Sequence, residues 1–103
     1  MKLRETETVE LKEQYTAGVK KDIIAFANSK GGTVYIGVSD DGRMIGIEET
    51  ASVIEQLSNA IRDGIRPDLA MFTEIEQIEN EGKSLIRVTV QQGTKRPYYL
   101  SER

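Results

Sequence analysis

The chain has 103 residues, no cysteine, no histidine and a net charge of −3 at neutral pH. That length suits one domain with a modest core. The missing histidine removes Ser-His-Asp and Cys-His catalysis, the commonest zinc sites and the usual proton shuttle.

Without cysteine there is no disulfide and no thiolate chemistry, which suits a reducing cytoplasm. The acidic balance means that any nucleic-acid contact must rest on a local basic patch. No run approaches the roughly 20 apolar residues that span a bilayer. The charged start from Met1 to Glu7 lacks the apolar core of a signal peptide.

Thr8 to Lys12 alternates, with Val9 and Leu11 on one face and Glu10 and Lys12 on the other, as a short strand. Thr16 is placed to cap a helix from Ala17 to Asn28, whose core stripe is Val19, Ile23, Phe26 and Ala27, with Ile24 beside it. Gly31 and Gly32 stop that helix, and one of them is expected to need a positive φ. Thr33 to Val38 is a β-rich strand; Asp41-Gly42 makes a tight turn, and Arg43 to Ile47 is expected to return as its partner strand. Ser52-Val53-Ile54-Glu55 reads as a capping box for a second helix with Ile54, Leu57, Ile61 and Ile65 inward, ended by Pro67. Met71 to Ile78 is a further strand, Asn80-Glu81-Gly82 a turn, and Leu85 to Val90 a strand with Ile86, Val88 and Val90 inward. Gln91 to Leu100 is a loop closing on a short strand, Tyr98-Tyr99-Leu100.

The order is β-α-β-β-α-β-β, an α+β fold with a mixed sheet and two helices packed on one face. The chain stops directly after a strand-like segment, at Ser101-Glu102-Arg103, which reads as one domain over residues 1–103 cut from a longer protein.

Three groups of residues carry chemical promise. Glu5 and Glu10 share a Glu-x4-Glu spacing, and Asp40 ends another strand. If those strands are neighbours, the three carboxylates gather and can hold Mg²⁺ or Mn²⁺ to activate water against a phosphodiester. The same residues also read as solvated strand-edge charges, Asp40-Asp41-Gly42 as a plain turn, and Asn28 as a ligand contact or simply the end of a helix. Gly31-Gly32 is not a phosphate loop, because the order is helix, glycines, strand, the reverse of what that loop requires. Basic residues concentrate at Lys12, Lys20, Lys21 and Lys30 around the first helix and at Lys95-Arg96 near the end. Tyr98 and Tyr99 beside that last pair either stack on bases or pack on the core. The charges from Glu74 to Glu81 are acidic and repel a phosphate backbone.

Glu5-Thr6-Glu7-Thr8-Val9-Glu10-Leu11-Lys12, Phe26-Ala27-Asn28-Ser29-Lys30-Gly31-Gly32, Gly37-Val38-Ser39-Asp40-Asp41-Gly42 and Ile45-Gly46-Ile47 resemble the Schlafen-like, divergent AlbA-type domain. The tail Lys95-Arg96-Pro97-Tyr98-Tyr99-Leu100 fits the same pattern, and the resemblance covers nearly the whole chain. It implies a DNA-binding domain at the N-terminus of a longer prokaryotic transcriptional regulator of the kind labelled RecG-helicase-related. Further C-terminal domains would follow it. In animal Schlafens a related module cleaves transfer and ribosomal RNA with three carboxylates, which land here on Glu5, Glu10 and Asp40. The helicase label carries no chemistry over, since the chain has no Walker motif.

The first expectation is therefore a cytoplasmic nucleic-acid-binding domain without a cofactor, using Lys12, Lys20, Lys21, Lys30, Lys95 and Arg96 on phosphates. The second is an RNA endonuclease needing Mg²⁺ or Mn²⁺ at Glu5, Glu10 and Asp40. The third is a module that only mediates contacts within a homo-oligomer, through an open sheet edge. None of the three involves a membrane.

Overall fold

A computed structural model describes residues 3–101; Glu102 and Arg103 of the expected chain end lie outside the described residues. The elements are β1 (Val9–Lys12), α1 (Ala17–Ala27), β2 (Gly32–Ile36), α2 (Thr50–Gly64), β3 (Ile65–Arg66), a 3-10 turn (Ala70–Phe72), β4 (Thr73–Asn80), β5 (Lys83–Val90) and β6 (Tyr99–Leu100). Four strands form one sheet in the order β1-β2-β5-β4, and β3 pairs with β6 in a separate ribbon. β1 and β2 run parallel, joined across the sheet by α1; β2–β5 and β5–β4 are antiparallel. The fold is α+β with a mixed sheet, as its periodicities predict.

The register explains which residues turn inward. Val34 and Ile36 of β2 lie opposite Val88 and Ile86 of β5. All four are fully buried beneath Val19, Ile23, Phe26 and Ala27 of α1 and Leu57 and Ile61 of α2, so both helices cover one face. A smaller cluster of Leu11, Val38 and Leu85 occupies the other face, with Leu3, Met44 and Ile78 packed on it.

The glycine pair works by two different means. Gly31 has φ 85°, and its N–H reaches back to the Phe26 carbonyl at 2.8 Å, which closes the helix end. Gly32 has no positive φ. Instead, the Phe26 ring lies over it, and a Cβ there would come within 2.5 Å of the ring.

Two expected local details fail for physical reasons. The segment Arg43 to Ile47 forms no partner strand, only an isolated bridge between Val38 and Met44. A strand has two edges, and both edges of β2 are already taken, by β1 and β5. Gly37, at φ 104°, turns the chain out of the sheet after Ile36, and its carbonyl accepts the N–H groups of both Ile45 and Gly46 at 2.9 Å. The second helix starts at Thr50, ahead of the expected capping box, and its cap residue Glu49 makes no side-chain cap bond. Thr50 donates its hydroxyl to Gln77 of β4 at 3.2 Å instead, so a contact between elements places the helix start.

Candidate nucleic-acid interface and carboxylate cluster

β1 is an edge strand whose outward amides need partners. The Val9 N–H donates to the Thr6 carbonyl at 3.4 Å, and the Leu11 N–H donates to Glu5 Oε2, also at 3.4 Å. Glu5 therefore blunts the edge of the sheet. Glu10 and Lys12 lie on the helix-bearing face of β1, opposite Val34 and Ile36. There Lys12 Nζ stands 3.4 Å from Asp22 Oδ2 of α1 and 4.0 Å from Glu10 Oε2. Burial raises the Glu10 carboxyl above its ordinary pKa, reinforced by a hydrogen bond with Glu5 and by the charges of Asp22 and Glu5; Lys12 pulls it back only in part.

Asp22 is the member of this cluster that the sequence reading missed. Its one signal there was to be the sole acidic residue of α1. Asp40 stands apart, lining a shallow depression of about 520 Å³ with Leu3, Arg4 and Asp41. Among the described residues no three carboxylates are grouped so as to hold a metal ion. Glu5 and Glu10 meet and Asp40 does not join them, so these side chains do not fit the expected Mg²⁺ or Mn²⁺ set.

In the turn after Val38, Asp41 is the organising carboxylate. It accepts the Ser39 hydroxyl, and it accepts the Arg43 N–H at 3.2 Å and the Arg43 Nε at 3.0 Å. The Ser39 bond and then the Arg43 bonds pull its pKa down to about 2.

Asn28 ends α1 and clamps the segment at Tyr98. Its Nδ2 donates to the Tyr98 carbonyl at 3.0 Å, and its Oδ1 accepts the Tyr98 N–H at 2.7 Å. Tyr98 is only 3% exposed, so it cannot stack on a base. Its ring fills the space above Gly93, where any side chain would collide with it. Its hydroxyl accepts the Lys95 N–H at 3.1 Å, while the Gly93 N–H donates to the Ala27 carbonyl at 2.9 Å. The loop carrying Lys95 and Arg96 is thereby tied at both ends to the C-terminus of α1.

The six expected phosphate contacts fall into two groups. Lys12 is committed to Asp22 and Glu10, and Lys30 faces Glu7 at 3.5 Å. Lys20, Lys21, Lys95 and Arg96 make no ion pair among the described residues, and the last three are exposed. Lys20 lies across Gly64 at the end of α2. No described helix is long and apolar enough to cross a membrane.

The N-terminal domain of a RecG-related protein from Nitrosomonas europaea, solved in solution, superimposes with a TM-score of 0.80 at 23% identity, covering 97% of this chain and 74% of that one. The crystal structure of the DIP2311 protein from Corynebacterium diphtheriae gives a TM-score of 0.66 at 16% identity, over 94% of this chain and 20% of that one. At these identities the likeness is one of fold. No curated protein matches the chain. The family model described as "Schlafen, AlbA_2" matches residues 5–103. The chain therefore belongs to the Schlafen, AlbA_2 family.

Proposed function

We propose that this domain binds nucleic acid, as the DNA-binding part of a transcriptional regulator. Lys20, Lys21, Lys95 and Arg96 are its phosphate contacts. The observation that carries the reading is the Lys95–Arg96 loop. Both cations are exposed, neither is neutralised by a described carboxylate, and the backbone beneath them is held by Tyr98 and Asn28. A loop whose backbone is already fixed spares the backbone part of the ordering cost when its cations meet a phosphate. Lys12 and Lys30 contribute less, since Lys12 is drawn to Asp22 and Lys30 would exchange its exposed pair with Glu7 for a phosphate. Membership of the Schlafen, AlbA_2 family supports the same reading.

Fluorescence anisotropy with labelled duplex DNA, single strands and tRNA, at two salt concentrations, tests this. Affinity falls steeply with salt and varies little with sequence. Arg96→Glu weakens binding and flattens the salt slope by about one unit. Lys83→Glu, an equal change of charge in the acidic region, does neither. Equal losses from both variants would remove the case for a localised patch. Incubating the same tRNA with Mn²⁺ covers the competing nuclease reading. Cleavage by the wild type that disappears in Glu10→Gln would replace binding with metal-dependent RNA cleavage through Glu5, Glu10 and Asp40.

A further inference from the structure

The last strand gives two adjacent tyrosines opposite surroundings. β6 pairs antiparallel with β3, with Ile65 opposite Leu100 and Arg66 opposite Tyr99. Ile65 is fully buried, so the first pair faces the core, and alternation turns the second pair outward. Tyr99 is 57% exposed. Every other aromatic side chain of the protein is buried or half-buried. A ring this exposed buries little apolar surface in the fold, and its cross-strand neighbour is a cation. Arg66 is its cross-strand neighbour, and Arg66 Nη1 is held over the end of α2 by the carbonyls of Arg62 and Ile65, both at 3.0 Å. No described carboxylate pairs with Arg66. Lys20 crosses the adjacent Gly64, and the Ser101 N–H donates to the Gly64 carbonyl at 2.8 Å, fastening the ribbon to the helix. Arg96 precedes Tyr99 by one buried tyrosine and a proline.

We propose that the β3–β6 ribbon is a stacking platform for an unpaired base, so that single-stranded nucleic acid is the favoured ligand of this surface. An unpaired base can lie on the Tyr99 ring beside the Arg66 guanidinium while the adjoining phosphates meet Lys20 and Arg96. Bases inside a duplex are already stacked on each other and cannot reach a ring that stands on a protein surface. The proposal rests on the nucleic-acid reading above and adds the class of strand.

The experiment uses the whole chain, a labelled single strand of about 12 nucleotides and the duplex of the same sequence. The wild type binds the single strand more tightly than the duplex. Tyr99→Ala weakens single-strand binding by about 5- to 160-fold and leaves duplex binding within about twofold. Its thermal midpoint stays that of the wild type, because the ring is exposed. Tyr99→Trp keeps the affinity and supplies the only tryptophan of the chain. Its fluorescence is quenched by the single strand and not by the duplex. Binding that survives Tyr99→Ala unchanged, or equal quenching by both ligands, overturns the platform and leaves the phosphate contacts standing. Absence of binding to either form by the wild type overturns the platform and the nucleic-acid reading together.

Discussion

Replacing Asn28 tests the clamp that organises the basic loop. Its amide makes two hydrogen bonds, 3.0 Å to the carbonyl and 2.7 Å from the N–H of Tyr98, a residue only 3% exposed. Asn28→Ala removes both bonds and leaves a donor and an acceptor in a pocket that water reaches poorly. Each such orphan costs about 1–3 kcal/mol. The sum is about 2–4 kcal/mol once partial rehydration is allowed, or roughly 10–25 °C in the midpoint of a domain this small. Asn28→Asp is the sharper perturbation. It keeps the acceptor for the Tyr98 N–H but turns an oxygen toward the Tyr98 carbonyl. A neutral acid can donate there and a carboxylate cannot, so the pKa of the new side chain is raised in the folded state. Its stabilising contribution is present below the unfolded pKa and is lost as pH rises through the folded one. Asn28→Asp therefore falls well below wild type at neutral pH and recovers most of the deficit in acid. Urea unfolding followed by circular dichroism, at several pH values, measures both variants. A loss under about 0.5 kcal/mol for Asn28→Ala, or an Asn28→Asp deficit that does not change with pH, would refute the clamp.

Phe26→Ala costs about 3–5 kcal/mol in the same assay, because the ring seals the core above Gly32; a loss under about 1 kcal/mol would contradict that packing. Gly31→Ala forces a side chain at φ 85° against the Val90 carbonyl and costs on the order of 1 kcal/mol or more. Glu10, with its pKa raised first by burial, contributes stability only while protonated, and its charge opposes folding at neutral pH. Glu10→Gln thus raises the thermal midpoint at neutral pH, with no gain in acid, and a variant less stable than wild type at neutral pH would show that its carboxylate is the stabilising form. Carboxyl NMR is expected to find Asp41 titrating at about 2 and moving back toward the ordinary carboxylate range in Ser39→Ala, since the Ser39 hydroxyl is the main cause of the shift. Its contribution is intact above that ordinary range and is lost as pH falls through about 2. An Asp41 midpoint unmoved by Ser39→Ala would assign the effect to Arg43 instead.

The amino-acid sequence by itself determined the elements whose signals are local. The stripe Val19, Ile23, Phe26 and Ala27 specifies the buried side of α1, and alternation in Leu85 to Val90 specifies that of β5. The positive φ of Gly82 in the turn before β5 and of Gly31 after α1 follow from glycine, which tolerates those angles, whereas Glu81 adopts φ 53° without that freedom. Tertiary structure decided everything that depends on a partner distant along the chain. The Asp41–Gly42 turn has full hairpin chemistry, yet its return segment joins no strand, because β1 and β5 had filled both edges of β2. Lys12 gains a carboxylate neighbour only when α1 brings Asp22 against it, and Asn28, which does end α1, gains its side-chain partner only when the distant Tyr98 packs beside it. Tyr98 and Tyr99 are the same residue type in adjacent positions, and nothing local separates a core anchor from an exposed ring. The register of β6 against β3 separates them, because successive residues of a paired strand face opposite ways, and only one of those ways led to the core.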